Sequence, residues 1–165
     1  MIEPSAGSPR ADRPEEPAVD TLSTAAPSLS QDHADDAHAA ATDDAVPMSD
    51  VVRIAVDAAL DRKAEALKIL HLGAVSDFTD DFVICNGTNE RQVRAIADNI
   101  EDQLRAAGTR PLHVEGYNNG RWVLLDYGNE MVIHIFLDDT RQHYDLERLW
   151  ADGPDMTEAY LAQAA

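Results

Sequence analysis

Apolar residues are densest in a stretch of the C-terminal half, where they predict two β-strands, Arg121–Asp126 and Met131–Phe136. A turn centred on Gly128 and Asn129 joins the strands, and the glycine supplies the positive φ that a two-residue hairpin turn requires. Both faces of the two strands are almost free of charge. Because each face must then be covered by other parts of the protein, the pattern is typical of strands in the middle of a sheet.

A two-residue turn also fixes the register of this hairpin. The predicted facing pairs are Leu125 with Val132, Leu124 with Ile133, Val123 with His134 and Trp122 with Ile135. Since side chains alternate across a strand, one face would carry Trp122, Leu124, Ile133 and Ile135, and the other Val123, Leu125, Val132 and His134. The register therefore predicts that Trp122 and His134 lie on opposite faces of the sheet.

The rest of the pattern predicts three helices and three more strands. Helical spacing indicates helices from Ser49 or Asp50 to about Arg62, from Thr88 or Asn89 to about Ala107, and from Asp138 or Asp139 to about Trp150. Short apolar runs indicate strands over Ala66–Leu72, Asp81–Asn86 and Pro111–Glu115. The order α-β-β-α-β-β-β-α predicts an α/β (α+β) domain with a mixed five-stranded sheet packed by helices.

Composition divides the chain into three parts. Residues 1–47 are rich in Ala, Pro, Asp, Ser and Thr, and their two basic and ten acidic residues give a net charge of −8. So few large apolar residues cannot offset the entropy of ordering, which predicts a disordered tail, with an acidic interaction arm as the alternative. We expect the folded domain over residues 48–154 and a marginally helical C-terminal tail over residues 155–165.

The whole chain is acidic, with 31 acidic and 13 basic residues and a formal net charge of −18. Such a charge repels DNA, RNA and anionic membranes, so a partner would be a basic protein. The single cysteine, Cys85, cannot form an internal disulfide and is consistent with a reducing compartment. No apolar run is long enough to span a membrane and no secretory signal is visible, so we expect a cytoplasmic protein.

Candidate catalytic residues are few. Asp77, Asp80 and Asp81 cluster between two strands, but the chain has no phosphate-binding loop with its lysine beside them. Thr88 lies at a helix N-terminus, where anions can bind, yet the preceding loop has a single glycine. A buried histidine is the simpler interpretation of His134. We therefore expect neither metal nor cofactor, and a nucleotide-binding or nucleotidyltransferase-like enzyme is the alternative function.

Aromatic and acidic residues crowd together in the C-terminal half. Five aromatic residues fall within 29 positions, namely Trp122, Tyr127, Phe136, Tyr144 and Trp150. Carboxylates stand beside them at Asp126, Glu130, Asp138, Asp139 and Glu147. An apolar patch rimmed by carboxylates suits a basic protein partner or a self-association face, while simple core filling is the other interpretation.

Seven ordered segments resemble one known family. They are Ser76–Asp80, Phe82–Gly87, Arg91–Asp98, Pro111–Gly116, Gly120–Gly128, Val132–Phe136 and Tyr144–Trp150, in that order and spacing. Together, over about residues 49–154, they are similar to the ribosomal silencing factor family, also called Iojap-like. The match departs at Asn86, where relatives usually have a small hydroxyl residue, and at Asn129-Glu130 after the turn glycine.

The resemblance implies a function that composition does not. It implies a nucleotidyltransferase-like fold without a catalytic site, homodimers, and binding to the large ribosomal subunit through ribosomal protein L14. Occupying that site would block the small subunit and repress translation in stationary phase or nutrient limitation, as a negative regulator of ribosome function in the bacterial cytoplasm. Carried over by position, the residues implied for the ribosomal or dimer contact are Trp122, Leu124, Asp126, Tyr127, His134, Tyr144, Glu147 and Trp150.

Overall fold

The computed structural model describes residues 49–164, so the predicted disordered tail, residues 1–47, lies outside the described residues. The elements run in the order α1 (Asp50–Asp61), β1 (Glu65–His71), β2 (Asp81–Gly87), α2 (Glu90–Ala106), β3 (His113–Glu115), β4 (Trp122–Asp126), β5 (Met131–Leu137), α3 (Asp138–Tyr144), α4 (Leu146–Leu149) and α5 (Thr157–Ala164). The predicted α+β class and five-stranded sheet are confirmed.

The five strands form one mixed sheet in the spatial order β1-β2-β5-β4-β3. β5 lies at the centre, parallel to β2 and antiparallel to β4, while β1 and β3 form the two edges. The strands β2 and β5 are buried along almost their whole length, as the uncharged pattern predicts. The two strands β2 and β5 are therefore buried on both faces of the sheet.

Helices α1 and α2 cover one face of this sheet. Asn89 caps the N-terminus of α2, and its side-chain oxygen accepts a hydrogen bond of 2.9 Å from the Gln92 backbone N–H. Its apolar stripe, formed by Val93, Ile96, Ala97, Ile100 and Leu104, packs onto the sheet with α1 to form the larger core. The opposite face carries a smaller apolar cluster, whose main members are Leu72, Phe82, Ile84, Val132 and Phe136.

The register predicted for the β4–β5 hairpin is wrong by one residue. The Tyr127 N–H donates to the Met131 carbonyl oxygen at 3.0 Å, so three residues rather than two form the loop. Trp122 consequently faces Phe136, Val123 faces Ile135, Leu124 faces His134 and Leu125 faces Ile133. One extra loop residue moves every β5 side chain to the other face of the sheet. Trp122, Leu124 and His134 therefore share a face, instead of lying on opposite faces.

The predicted long helix from Asp138 to Trp150 is also wrong, because the chain breaks at Asp145. This residue adopts the left-handed conformation with φ of 46°, which ends α3 and begins α4. Asp and Asn tolerate this conformation better than most residues, since their short side chains hydrogen-bond locally. After the break, α4 leads to Trp150, whose ring packs against Phe82 of β2.

The C-terminal residues belong to the folded unit, whereas the sequence predicted that the domain ends at residue 154. The Met156 N–H donates to the Ile69 carbonyl at 2.8 Å, and Asp155 forms an isolated bridge with Leu70. Beyond them, the buried Tyr160 of α5 joins the larger core. The segment therefore covers the outer edge of β1, a long-range role that local periodicity does not reveal.

Asp155 anchors this C-terminal segment. Its carboxylate lies 2.8 Å from the Lys68 ammonium and accepts hydrogen bonds from the Thr157 N–H and hydroxyl. Burial alone would raise the pKa of Asp155, but the Lys68 and Thr157 hydrogen bonds outweigh it and lower the pKa to about 2. Asp155→Ala should lower the free energy of unfolding by about 1 kcal/mol, the typical value of a helix-capping carboxylate.

Urea unfolding at neutral pH measures this change. Asp152→Ala is the matched control, because Asp152 is an exposed carboxylate three residues earlier in the preceding turn. Equal stabilities of the two variants would show that Asp155 does not hold the C-terminal segment.

Candidate functional site

The sheet face opposite α1 and α2 carries a continuous group of rings, which we call the aromatic face: Phe78, Phe82, Trp122, His134, Phe136, Tyr144 and Trp150. Trp122 lies near its middle, with its ring centroid 4.9 Å from that of Phe136 and 4.7 Å from that of Tyr144. At the other end, Trp150 packs edge-on against Phe82 and Phe78, each at 5.6 Å. The corrected hairpin register is what brings Trp122 and His134 into this group.

Much of the aromatic face is open. Phe78 is 50% exposed, Tyr144 is 45% exposed, and the neighbouring Leu149 of α4 is 72% exposed. Trp122, Leu124 and Trp150 are partly buried, while Phe82 and Phe136 form the buried floor. Short helices α3 and α4 border this face without covering it, whereas α1 and α2 cover the opposite one. Exposed apolar surface of this kind is typical of a site that binds another protein.

His134 is buried in the floor of the aromatic face. The Trp122 indole N–H donates a 3.1 Å hydrogen bond to Nδ1 of His134, which places the imidazole proton on Nε2. Nε2 is buried and has no hydrogen-bond partner among residues 49–164. Burial lowers the pKa of His134 to about 3, so the ring is neutral at physiological pH. The histidine acts as an acceptor that fixes the orientation of the Trp122 ring.

Arg141 of α3 holds the border of the aromatic face in place. Its guanidinium donates to the Glu147 carboxylate at 2.6 Å, to the Ala66 carbonyl at 2.6 Å and to the Asn86 side-chain oxygen at 2.8 Å. Asn86 in turn donates to the Asp138 carboxylate at 3.1 Å. Hydrogen bonds to charged groups are the stronger ones, so this network ties α3 and α4 to the ends of β1 and β2.

The structure brings together most of the predicted contact residues. Trp122, Leu124, His134, Tyr144 and Trp150 belong to or adjoin the aromatic face. The carboxylate of Asp126 accepts a 2.7 Å hydrogen bond from the Gly128 N–H and stabilises the hairpin turn. Glu147 lies at the border of the aromatic face, and its carboxylate forms a salt bridge with Arg141. These last two residues therefore have structural partners within the chain itself.

Tyr127 lies apart from the other predicted contact residues. It is buried in the larger core on the opposite face of the sheet. Burial is the main cause that raises the pKa of its phenol, and the nearby carboxylate of Glu101 adds to the effect. A buried side chain under α2 cannot touch a partner on the aromatic face, so the structure separates Tyr127 from that surface.

Three members of the aromatic face were absent from the predicted contacts, namely Phe78, Phe82 and Phe136, as was Arg141 behind it. Phe78 stands in a polar, turn-like segment that carries no periodic signal, and Phe82 reads as an ordinary residue of a buried strand. Their rings meet Trp150, which is 68 or more positions later in the chain. The dense aromatic content of the C-terminal half indicated only part of the site, because the other part comes from the β1–β2 connection and from β2 itself.

Residues that suggested a nucleotide site form hydrogen bonds with other side chains of the same chain. The Thr88 backbone N–H and hydroxyl both donate to the Gln92 side-chain oxygen, at 2.8 and 2.6 Å, where an anion would bind. The buried Asp81 lies 2.9 Å from His71, and burial raises its pKa against the opposing effect of that hydrogen bond. Within residues 49–164 no three acidic, histidine or cysteine side chains are placed to hold a metal ion.

No helix among the described residues has the length and apolar character needed to cross a membrane.

The profile of the family described as "Ribosomal silencing factor during starvation" matches residues 43–165. A protein of Halalkalibacterium halodurans named ribosomal silencing factor RsfS is 40% identical over 105 residues, covering 64% of this chain and 89% of that protein.

Two solved structures resemble this fold. A Chromobacterium violaceum protein gives a TM-score of 0.60 at 31% identity, covering 61% of this chain and 83% of its own. A Bacillus halodurans protein gives a TM-score of 0.56 at 40% identity, covering 61% and 92%. The family profile matches the whole of the described domain. The match to the Halalkalibacterium halodurans protein covers most of that protein's length. The chain therefore belongs to the ribosomal silencing factor family.

Proposed function

We propose that this protein represses translation by occupying a protein surface of the large ribosomal subunit, so that the small subunit cannot join. The contact is made by the aromatic face against ribosomal protein L14, and no bond is made or broken. Repression would operate in the cytoplasm during stationary phase or nutrient limitation. Membership of the ribosomal silencing factor family supports the general role.

The observation that carries this proposal is the open aromatic face. A side chain such as Phe78 or Tyr144, about half exposed, keeps apolar area in contact with water unless a partner covers it. Aromatic side chains also provide much of the binding energy at protein interfaces, because they bury a large area with few rotatable bonds. A surface of this composition is suited to binding another protein.

Charge supports a protein as the direct partner. With a formal net charge of −18, the chain is repelled by ribosomal RNA at long range. A basic ribosomal protein on the surface of the large subunit would attract it instead, and attraction of opposite charges speeds association. The acidic composition therefore favours binding at a protein-rich position of the subunit.

A subunit-joining assay tests the proposal. Purified large and small subunits are mixed with a saturating amount of this protein, and the yield of joined ribosomes is measured by light scattering and sucrose-gradient sedimentation. We expect joining to fall to a small fraction of the untreated yield, with the protein sedimenting with free large subunits. Unchanged joining at saturation would contradict the proposed mechanism.

A chain without residues 1–47 is the matched control for the acidic tail. We expect it to block joining as well as the full chain does, because the aromatic face lies entirely within the described domain. If the shortened chain binds large subunits but no longer blocks joining, the acidic tail, and not the aromatic face, would be the obstructing element.

A further inference from the structure

The α3–α4 segment, residues 138–150, borders the aromatic face without a core of its own. Neither α3 nor α4 contains a buried residue, and the two helices are seven and four residues long. Helices this short are not stable by themselves in water, so they depend on contacts with the rest of the domain. The position of the segment against the sheet is therefore set by the few side chains that reach the strands.

The two halves of this segment are held in different ways. In the second half, Leu146 and Trp150 are partly buried and pack against the smaller apolar cluster, while Leu149 is exposed. In the first half, the exposed Tyr144 meets the ring of Trp122. No residue of α3 belongs to either apolar cluster of the described domain. The position of α3 therefore depends mainly on polar contacts.

Arg141 provides several of these polar contacts. Its side chain is only 12% exposed. Its guanidinium donates to the Glu147 carboxylate on α4, the Ala66 carbonyl in β1 and the Asn86 side-chain oxygen in β2. The guanidinium is a rigid planar fork with five N–H donors, so it holds these acceptors in fixed directions. A charge so far removed from water is stable only when it is paired, which restricts α3 to one position.

The Ala66 carbonyl is available to Arg141 because β1 is irregular at this point. Ala66 has a φ of 49°, in the left-handed region that residues other than glycine rarely adopt. The register of β1 against β2 shifts between Glu65 and Lys68, so Ala66 lies outside the paired residues of the ladder. Strained backbone of this kind persists only where surrounding contacts fix it, and it is concentrated at functional positions.

Asn86 holds the same helix at two points. Its side-chain oxygen accepts from Arg141 at 2.8 Å, and its amide nitrogen donates to the Asp138 carboxylate at 3.1 Å. Asp138 and Arg141 lie about one turn apart in the first part of α3. An asparagine can serve both, because its side chain ends in an acceptor and a donor. The buried Asn86 therefore fixes both the start and the direction of α3.

We propose that Asn86 and Arg141 are positioning residues for binding to the large ribosomal subunit. They hold the α3–α4 segment so that Tyr144 and Leu149 extend the exposed surface of the aromatic face. Neither positioning residue touches the partner, since Asn86 is buried in β2 and Arg141 lies between α3 and the strands. The inference rests on the proposed function, in which the aromatic face is the contact surface.

Asn86→Ala tests this role, because it removes both hydrogen bonds and keeps every side chain of the aromatic face. Asn99→Ala is the matched control, since the Asn99 side chain of α2 donates to the Ala58 carbonyl at 2.7 Å, away from that face. We expect Asn86→Ala to weaken sedimentation with purified large subunits by about fivefold, the usual size of an indirect effect, and Asn99→Ala to leave it unchanged. Arg141→Lys keeps the charge but lacks the planar fork, so it should cause a similar loss.

A double-mutant cycle separates positioning from a general loss of stability. In a chain that carries Tyr144→Ala and Leu149→Ala, the positioned side chains are absent, so adding Asn86→Ala should cost less than about twofold in affinity. Hydrogen exchange of the free protein gives an independent readout. The amides of α3 should exchange about tenfold faster in Asn86→Ala, whereas those of α2 should be unchanged.

The outcomes distinguish two failures. Wild-type affinity in Asn86→Ala would overturn the positioning role alone, and so would equal losses with and without Tyr144 and Leu149. If Asn86→Ala does not fold, the same comparisons are made with Arg141→Lys. A wild-type chain that does not sediment with large subunits would overturn the proposed function, and the positioning role with it.

Discussion

Replacing Trp122 with alanine is expected to weaken binding to the large ribosomal subunit by about thirtyfold, which corresponds to the roughly 2 kcal/mol of an interface hot spot. Trp122 lies near the middle of the aromatic face, between the rings of Phe136 and Tyr144. Its indole is oriented by the hydrogen bond to His134 and is only partly buried, so area remains for a partner to cover. The substitution removes both the contact area and the support for the neighbouring tyrosine.

Sedimentation of the variant with purified large subunits measures the effect, with the stability of each protein checked by thermal unfolding. Leu60→Ala is the matched control, because Leu60 is an exposed apolar residue at the end of α1, outside the aromatic face. Tyr144→Ala provides a second test, since its exposed ring can be removed with less cost to folding. Wild-type affinity in both aromatic variants would exclude this face as the ribosomal contact.

Tyr127→Ala should behave differently from Trp122→Ala. Its ring fills the core beneath α2. The substitution should therefore lower the free energy of unfolding, and it leaves the side chains of the aromatic face unchanged. The neighbouring positions Asp126 and Tyr127 thus differ in role because side chains alternate across β4. The family resemblance, carried over by position, placed both of them in one contact group.

The difference between the expected and observed register shows what local pattern can determine. The alternation in β4 and β5 is strong enough to predict both strands and their burial on both faces. It does not determine the loop length, because Glu130 can face Tyr127 or belong to the loop without any change in the apolar pattern of the two strands. The hydrogen bond between Tyr127 and Met131 decides this in the folded protein. One residue in a loop then decides which side chains form the site.

Long-range contacts account for the other features that the sequence did not predict. The sequence around Asp145 has an ordinary helical pattern, which does not reveal that this residue is left-handed. The position of α4 depends on Arg141, which donates hydrogen bonds to Ala66 and Asn86 in a distant part of the chain. Phe78 likewise joins the aromatic face only because Trp150 returns to meet it. By contrast, the start of α2 depends on local sequence. The spacing of Asn89 and Gln92 indicated a cap at Asn89, with Thr88 as the alternative, and the structure has Asn89 as the cap.

Acidification is expected to destabilise the protein through His134. A histidine whose pKa is lowered by folding, here from about 6.5 to about 3, binds a proton in the unfolded chain before it does so in the folded one. The stability that it contributes is therefore complete above the unfolded pKa and is lost as pH falls from about 6.5 toward 3. At about pH 4 this single group should cost roughly 3 kcal/mol.

Asp81 acts in the opposite direction. Burial raises its folded pKa, so the folded state takes up a proton at higher pH than the unfolded chain, and this group adds stability as pH falls. Comparison with His134→Gln separates the two contributions. The glutamine side-chain oxygen can still accept from the Trp122 indole but does not titrate, whereas Asp81 is unchanged.

Urea unfolding followed by tryptophan fluorescence at pH 7 and pH 4 measures the difference. We expect the wild-type protein to lose about 3 kcal/mol more than His134→Gln between these conditions. Equal losses would show that the imidazole is not held neutral by burial. If the prediction holds, protonation at Nδ1 would set an N–H donor against the Trp122 N–H, because both groups would then donate. The same buried ring that orients the central tryptophan of the aromatic face would thus release it in acid.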